Sequence, residues 1–159
     1  MRKSMMVAVA SATLLAGALP AFADVVVGTA GSETLKGTPG RDTISARAGA
    51  DTVYALGGDD AIRGGRGADR LFGGPGPDLL VDGPGKDALR GTRGHDIFNV
   101  RRGADAVIGG YGNDNIVLYR DGNADLVKCG PGHDSVAYTG KRERHDVFLG
   151  CETVSAYQP

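Results

Sequence analysis

One large apolar residue recurs every nine positions along most of the chain: Leu35, Ile44, Val53, Ile62, Leu71, Leu80, Leu89, Phe98, Val107 and Ile116, and then, after a two-residue offset, Val127 and Val136. The residues between them are mostly Gly, Pro, Asn, Asp and charged side chains, the types that build turns. Written in nines from Gly28, the chain reads GTAGSETLK, GTPGRDTIS, ARAGADTVY, ALGGDDAIR, GGRGADRLF, GGPGPDLLV, DGPGKDALR, GTRGHDIFN, VRRGADAVI and GGYGNDNIV. Leu118 and Tyr119 interrupt the frame, and RDGNADLVK and CGPGHDSVA resume it, giving twelve repeats. The fourth place is Gly in eleven of them, with Asn123 the exception, and the sixth is Asp in eleven, with Glu33 the exception. Three positions in register over more than a hundred residues define a repeat architecture.

Each repeat predicts a strand of about three residues around its apolar side chain, followed by a turn. One apolar residue per repeat cannot bury itself, but stacked copies can: strands of successive coils pair in a parallel ladder and their inward side chains form one narrow, continuous core. Glycine at this density argues against helix throughout. The predicted fold is all-β, a β-solenoid over residues 24–137.

Length and composition then set the flanks. The chain has 159 residues and a formal net charge of −1. Residues 1–23 read as a secretory signal peptide: Arg2 and Lys3 open it, an apolar run from Met5 to Leu19 follows, and Ala21-Phe22-Ala23 offers a small-x-small cleavage site. Its removal takes away two basic residues and leaves a more acidic mature chain beginning at Asp24. No other run is long enough to span a membrane. The implied location is secreted and extracellular, an oxidising setting in which Cys129 and Cys151 are expected to form a disulfide rather than a two-thiolate metal site. Residues 138–159 break the period and are expected to cap the last coil, pinned there by that disulfide and protecting its strand edges.

The repeats resemble the RTX (hemolysin-type) nonapeptide G-G-x-G-x-D-x-U-x, with U a large apolar residue; GGRGADRLF and GGPGPDLLV match it at every fixed place. The resemblance covers residues 28–137, and the CGPG and GCETV segments of the tail also look like the ends of secreted actinobacterial repeat proteins. It implies a right-handed parallel β-roll in which two repeats make one coil, repeats i and i+2 stack on the same edge, and several calcium ions lie between the turns. Asp42, Asp60, Asp78, Asp96 and Asp114 would then line one edge, and Asp51, Asp69, Asp87, Asp105 and Asp125 the other, with Asp134 also among the metal residues. Calcium takes six to eight oxygen ligands at about 2.3–2.6 Å, which carboxylates and turn carbonyls supply. Coils about 4.8 Å apart bring carboxylates close enough to repel, and a divalent cation turns that repulsion into cohesion.

The resemblance leaves no catalytic role, because the residues outside the repeats are too few for a catalytic domain and the polar residues are accounted for by repeat places. His95, His133 and His145 lie in separate segments and do not suggest a zinc site. Nucleic acid is an unsuitable partner for an acidic exported chain. The alternative to a calcium-binding scaffold is an adhesion module whose outward residues, such as Leu79, Val81, Ile97 and Val117 on one face and Tyr54, Phe72 and Ile108 on the other, meet an extracellular polysaccharide or a cell-surface partner.

Overall fold

The computed structural model describes residues 23–140 and 145–156; the leader expected over residues 1–23 therefore lies, except for Ala23, outside the described residues, as does the charged run 141–144. Among the described residues, fifteen short strands alternate between two parallel sheets. One sheet holds β1 (Val25–Val27), β3 (Thr43–Ser45), β5 (Ala61–Arg63), β7 (Leu79–Val81), β9 (Ile97–Val100), β11 (Asn115–Leu118), β13 (Ser135–Tyr138) and β15 (Thr153–Ala156). The other holds β2 (Thr34–Lys36), β4 (Thr52–Tyr54), β6 (Arg70–Pro75), β8 (Ala88–Arg93), β10 (Ala106–Tyr111), β12 (Leu126–Lys128) and β14 (Val147–Leu149). Every strand pairs with the one two further along, as in Ile44 opposite Ile62 and Leu71 opposite Leu89. Two nonapeptides therefore make one coil, and the chain forms a parallel β-solenoid of about seven coils.

The ladders reach beyond the twelve repeats at both ends. Val25–Val27 pairs with β3, while β14 and β15 pair with β12 and β13, so the tail continues both sheets. A disulfide joins Cys129, just after β12, to Cys151, between β14 and β15. Phe148 and Val154 pack against the end of the core.

Alternation along each strand gives the core two columns of side chains. Eighth-place residues form the first, fully buried from Ile44 to Val136 with Phe98 the largest. The second column is the first place of the following repeat, two residues on and facing the same way. Ala46, Ala55, Val100, Leu118 and Cys129 occupy it and are buried. Departures from Gly at that place are thus core packing rather than loss of the repeat. The same column corrects the position of the offset: Leu118 does not interrupt the frame but ends β11, opposite Val100 and Tyr138. The extra residues fall in the turn after it. There Gly122 takes φ +92° and Asn123 bonds Asp121 through both its backbone N–H and its side-chain amide, so this longer turn manages without the usual glycine.

The fourth-place glycine is required by close approach. Gly67 has φ +127°, and a Cβ there would overlap the carbonyl oxygen of Gly49 in the preceding coil. Gly122, also at positive φ, has nothing within 4 Å of such a Cβ. Gly67→Ala is expected to cost about 1–3 kcal/mol from backbone strain and coil displacement, and more than Gly122→Ala; thermal unfolding of the two variants side by side checks it. Equal losses would show that φ alone, and not coil-to-coil contact, sets the requirement.

Candidate metal centre

The sixth residue of each repeat ends its turn immediately before a strand, and its backbone N–H points along the stack toward the next coil. The carboxylate of the next sixth-place residue accepts it. On one edge Asp42 N–H donates to Asp60 Oδ1 at 2.7 Å, Asp60 to Asp78 at 3.0 Å, Asp78 to Asp96 at 2.9 Å, Asp96 to Asp114 at 2.9 Å and Asp114 to Asp134 at 2.8 Å. On the other, Asp51 donates to Asp69 at 2.9 Å, Asp69 to Asp87 at 2.7 Å, Asp87 to Asp105 at 2.8 Å and Asp105 to Asp125 at 2.9 Å. The structure therefore gathers all eleven sequence-predicted aspartates into two axial columns. It also extends them: Asp24 and Glu33 begin the columns, and Asp146 and Glu152 end them by accepting from Asp125 and Asp134. Periodicity alone missed the last two because the frame is lost after Ala137, although Glu152 stands 18 residues beyond Asp134.

One oxygen of each carboxylate is used this way; the other is not. Oδ2 of Asp51, Asp60, Asp69, Asp78, Asp87, Asp96, Asp105, Asp114 and Asp134 is buried and has no hydrogen-bond donor. An ionised carboxylate so placed is costly unless it is protonated or meets a cation. Accordingly, burial pushes the Asp78, Asp87 and Asp125 carboxyls up to about 7, and those of Asp60, Asp96 and Asp105 up to about 6. In each case the accepted backbone N–H opposes the rise, and neighbouring carboxylates add to it. Asp51, Asp69, Asp114 and Asp134 are raised for the same leading reason.

The first coil solves the problem differently. Asp42 Oδ2 accepts the Thr38 backbone N–H at 2.6 Å, with the Thr38 hydroxyl also in reach, and Glu33 is held in the same way by Thr29. Thr in the second place, at a backbone angle that lets it turn back, thus satisfies the acid within its own turn. Thr92 also holds a second place, but at φ +108° it leaves Asp96 Oδ2 without a donor. Asp42 thus differs from the nine aspartates whose second oxygen has no donor.

Place-one glycines make room for these oxygens. A Cβ at Gly91 would overlap Asp96 Oδ2 and stand 2.7 Å from the Gly109 carbonyl oxygen; one at Gly109 would overlap Asp114 Oδ2 and stand 2.6 Å from the Cys129 carbonyl oxygen. Each such glycine leaves a small cradle bounded by a carboxylate of its own turn and a carbonyl of the next coil. Oxygen donors from side chain and backbone, with no thiolate or imidazole, suit hard divalent cations.

Sequence reasoning passed over Asp82. It occupies the inward first place of DGPGKDALR, a column otherwise filled by Gly, Ala, Val, Leu and Cys, and is 1% exposed. Burial pushes its carboxyl up to about 8. Asp82, Asp87 and Asp105 bring carboxylate oxygens within 4.8 Å of one another. An acid in a column otherwise apolar was the available signal.

Fold and site together define a parallel β-solenoid whose turns are organised around buried, cation-seeking carboxylates. The sequence model of the RTX calcium-binding nonapeptide repeat matches four overlapping stretches, residues 27–62, 48–80, 63–98 and 81–116, which together span more than half of the chain. The chain belongs to this calcium-binding repeat family. No curated protein matches it significantly.

Proposed function

We propose that this is a secreted calcium-binding β-roll whose metal sites are structural, serving as a scaffold rather than a catalyst, and that its folding is coupled to calcium. The observation that carries the reading is the set of nine buried Oδ2 atoms without donors, stacked along both edges. Asp51, Asp69, Asp87, Asp105 and Asp125 on one edge, and Asp60, Asp78, Asp96, Asp114 and Asp134 on the other, would hold the ions together with turn carbonyls. Bound calcium supplies positive charge and six to eight coordination positions for oxygen. The protein's part is to fix carboxylates of successive coils at a common height through the N–H to Oδ1 bonds, and to exclude water from the second oxygen.

Secretion fits this chemistry, since the disulfide and millimolar calcium both belong to the extracellular setting. Isothermal calorimetry on the chelator-treated protein should show several calcium ions bound per chain, with magnesium failing to saturate the same sites. Binding of no calcium would overturn the reading.

A further inference from the structure

The first-place column runs Gly64, Asp82, Val100 and Leu118 through successive coils, and Asp82 is its charged member. Nothing about core packing explains an acid between Gly64 and Val100, because an apolar side chain of that size would fill the place without desolvation cost. Its hydrogen-bond partners are backbone groups of its own turn and the next: Asp82 Oδ1 accepts the Gly83 N–H at 2.5 Å, and both carboxylate oxygens accept the Arg101 N–H, at 3.0 and 2.9 Å. These bonds hold the carboxylate in place without neutralising it.

Facing it are Asp87 and Asp105, successive members of one edge column and both 2% exposed. Asp87 Oδ1 is occupied by the Asp69 N–H, and Asp87 Oδ2 and Asp105 Oδ2 are buried without any donor. The three side chains bring ligand oxygens within 4.8 Å of one another. Two oxygens bound to one calcium ion lie at most about 5 Å apart, so a single ion can touch all three. Among the described residues this is the one place where three acidic side chains converge so closely.

We infer that Asp82, Asp87 and Asp105 form a three-carboxylate calcium site, in which Asp82 adds a third carboxylate to the Asp87 and Asp105 pair of the repeats, and that it binds its ion more tightly than any other position in the solenoid. The inference rests on the calcium-binding reading above and adds to it a specific site, set by a residue outside the sixth-place column. Calcium affinity rises with the number of charged ligands in a rigid site, and all three carboxylates here are fixed by backbone donors or by burial. A cation at this point joins the first-place column to the edge column, and so ties the core to the turns in the middle of the stack.

Calorimetric titration of the chelator-treated protein with calcium, with a chelator of known affinity as competitor, should resolve one tight ion ahead of the remainder. Asp82→Asn keeps an oxygen to accept the Gly83 and Arg101 N–H groups and removes only the charge. It is expected to weaken the tightest ion by about tenfold or more while the number of weaker ions stays the same. Asp82→Gly, which restores the usual repeat residue, should do likewise, and it decides the matter if the Asn variant does not fold. If both folded variants keep the tightest ion at the affinity of the unaltered chain, the three-carboxylate site is wrong while the calcium-binding reading stands. If the unaltered chain binds no calcium, both fall together.

Discussion

Chelating calcium from the protein at pH 7.5 should abolish most of its far-UV β signal, and returning calcium, but not magnesium, should restore it cooperatively. The expectation follows from the two columns of carboxylates. At that pH the carboxylates, with ordinary values near 3.8, are driven toward ionisation by water, whereas in the coil their second oxygens are buried without donors. Folding without a cation therefore means desolvating charge or taking up protons, and either costs free energy. The core has little to set against this, because it is only two side chains wide and many of its first-place positions are glycine. Magnesium is expected to fail because it demands near-octahedral geometry at about 2.0–2.1 Å and gives up its waters reluctantly. The disulfide stays intact under chelation but closes only the loop between Cys129 and Cys151, so it cannot hold the earlier coils. Circular dichroism through a calcium titration reads the result. A chelated sample with an undiminished β spectrum would show that the apolar columns and strand ladders suffice without metal.

Acidifying the same chelated sample should fold it again. The folded carboxyls are raised to about 6 at Asp60, Asp96 and Asp105, to about 7 at Asp78, Asp87 and Asp125, and to about 8 at Asp82, from an ordinary value of 3.8. Between pH 3.8 and about 8 the folded chain therefore holds more protons than the unfolded one, and linkage makes the metal-free fold more stable as pH falls through that window. Below 3.8 both states are protonated and the gain levels off. With calcium present the trend reverses, because protons and cation compete for the same oxygens and lower pH weakens metal binding. Two thermal-melt series should thus diverge between pH 8 and 5: the chelated protein gains a transition on acidification that moves up as pH falls further, while the calcium-saturated transition moves down. A shift of 1 kcal/mol moves Tm by roughly 2–8 °C in domains of this size, so a rise of about 10 °C or more in the chelated series is expected. A chelated series that is flat or falls on acidification would mean that the carboxylates are not what opposes metal-free folding.

Much of this arrangement was legible in the nonapeptide. The eighth-place residues had to stack because each repeat offers one apolar side chain, and the sixth-place aspartates had to follow them into columns because register fixes both. What escaped was written at the first place. Ala46, Ala55 and Val100 stand where the nonapeptide motif has Gly, and only the pleat shows that this place shares the inward face with the eighth. Leu118 looked like an insertion for the same reason, and Asp82 looked like one more turn residue. The engagement of Asp42 by Thr38 was also beyond the pattern, since GTPGRD and GTRGHD share their second-place Thr and differ in the backbone angle at it. Along the column that ends at Asp146 the spacing widens from 18 residues to 20 between Asp105 and Asp125 and to 21 between Asp125 and Asp146, so the last bond there is carried on a frame that no nine-residue template follows.

The amide-to-carboxylate bonds also give the stack a direction. Each sixth-place N–H is satisfied by the coil that comes after it in the chain, never by the one before. A coil leaving the ribosome is incomplete until its successor arrives, and the order of completion matches the order of synthesis. The strand amides that follow run the other way: the Thr43 N–H donates to the Asp24 carbonyl and the Ala61 N–H to the Asp42 carbonyl, so each sixth-place residue is tied to the coil after it by its N–H and by its carbonyl. The solenoid is in this respect a ratchet, closed one tooth at a time from its beginning.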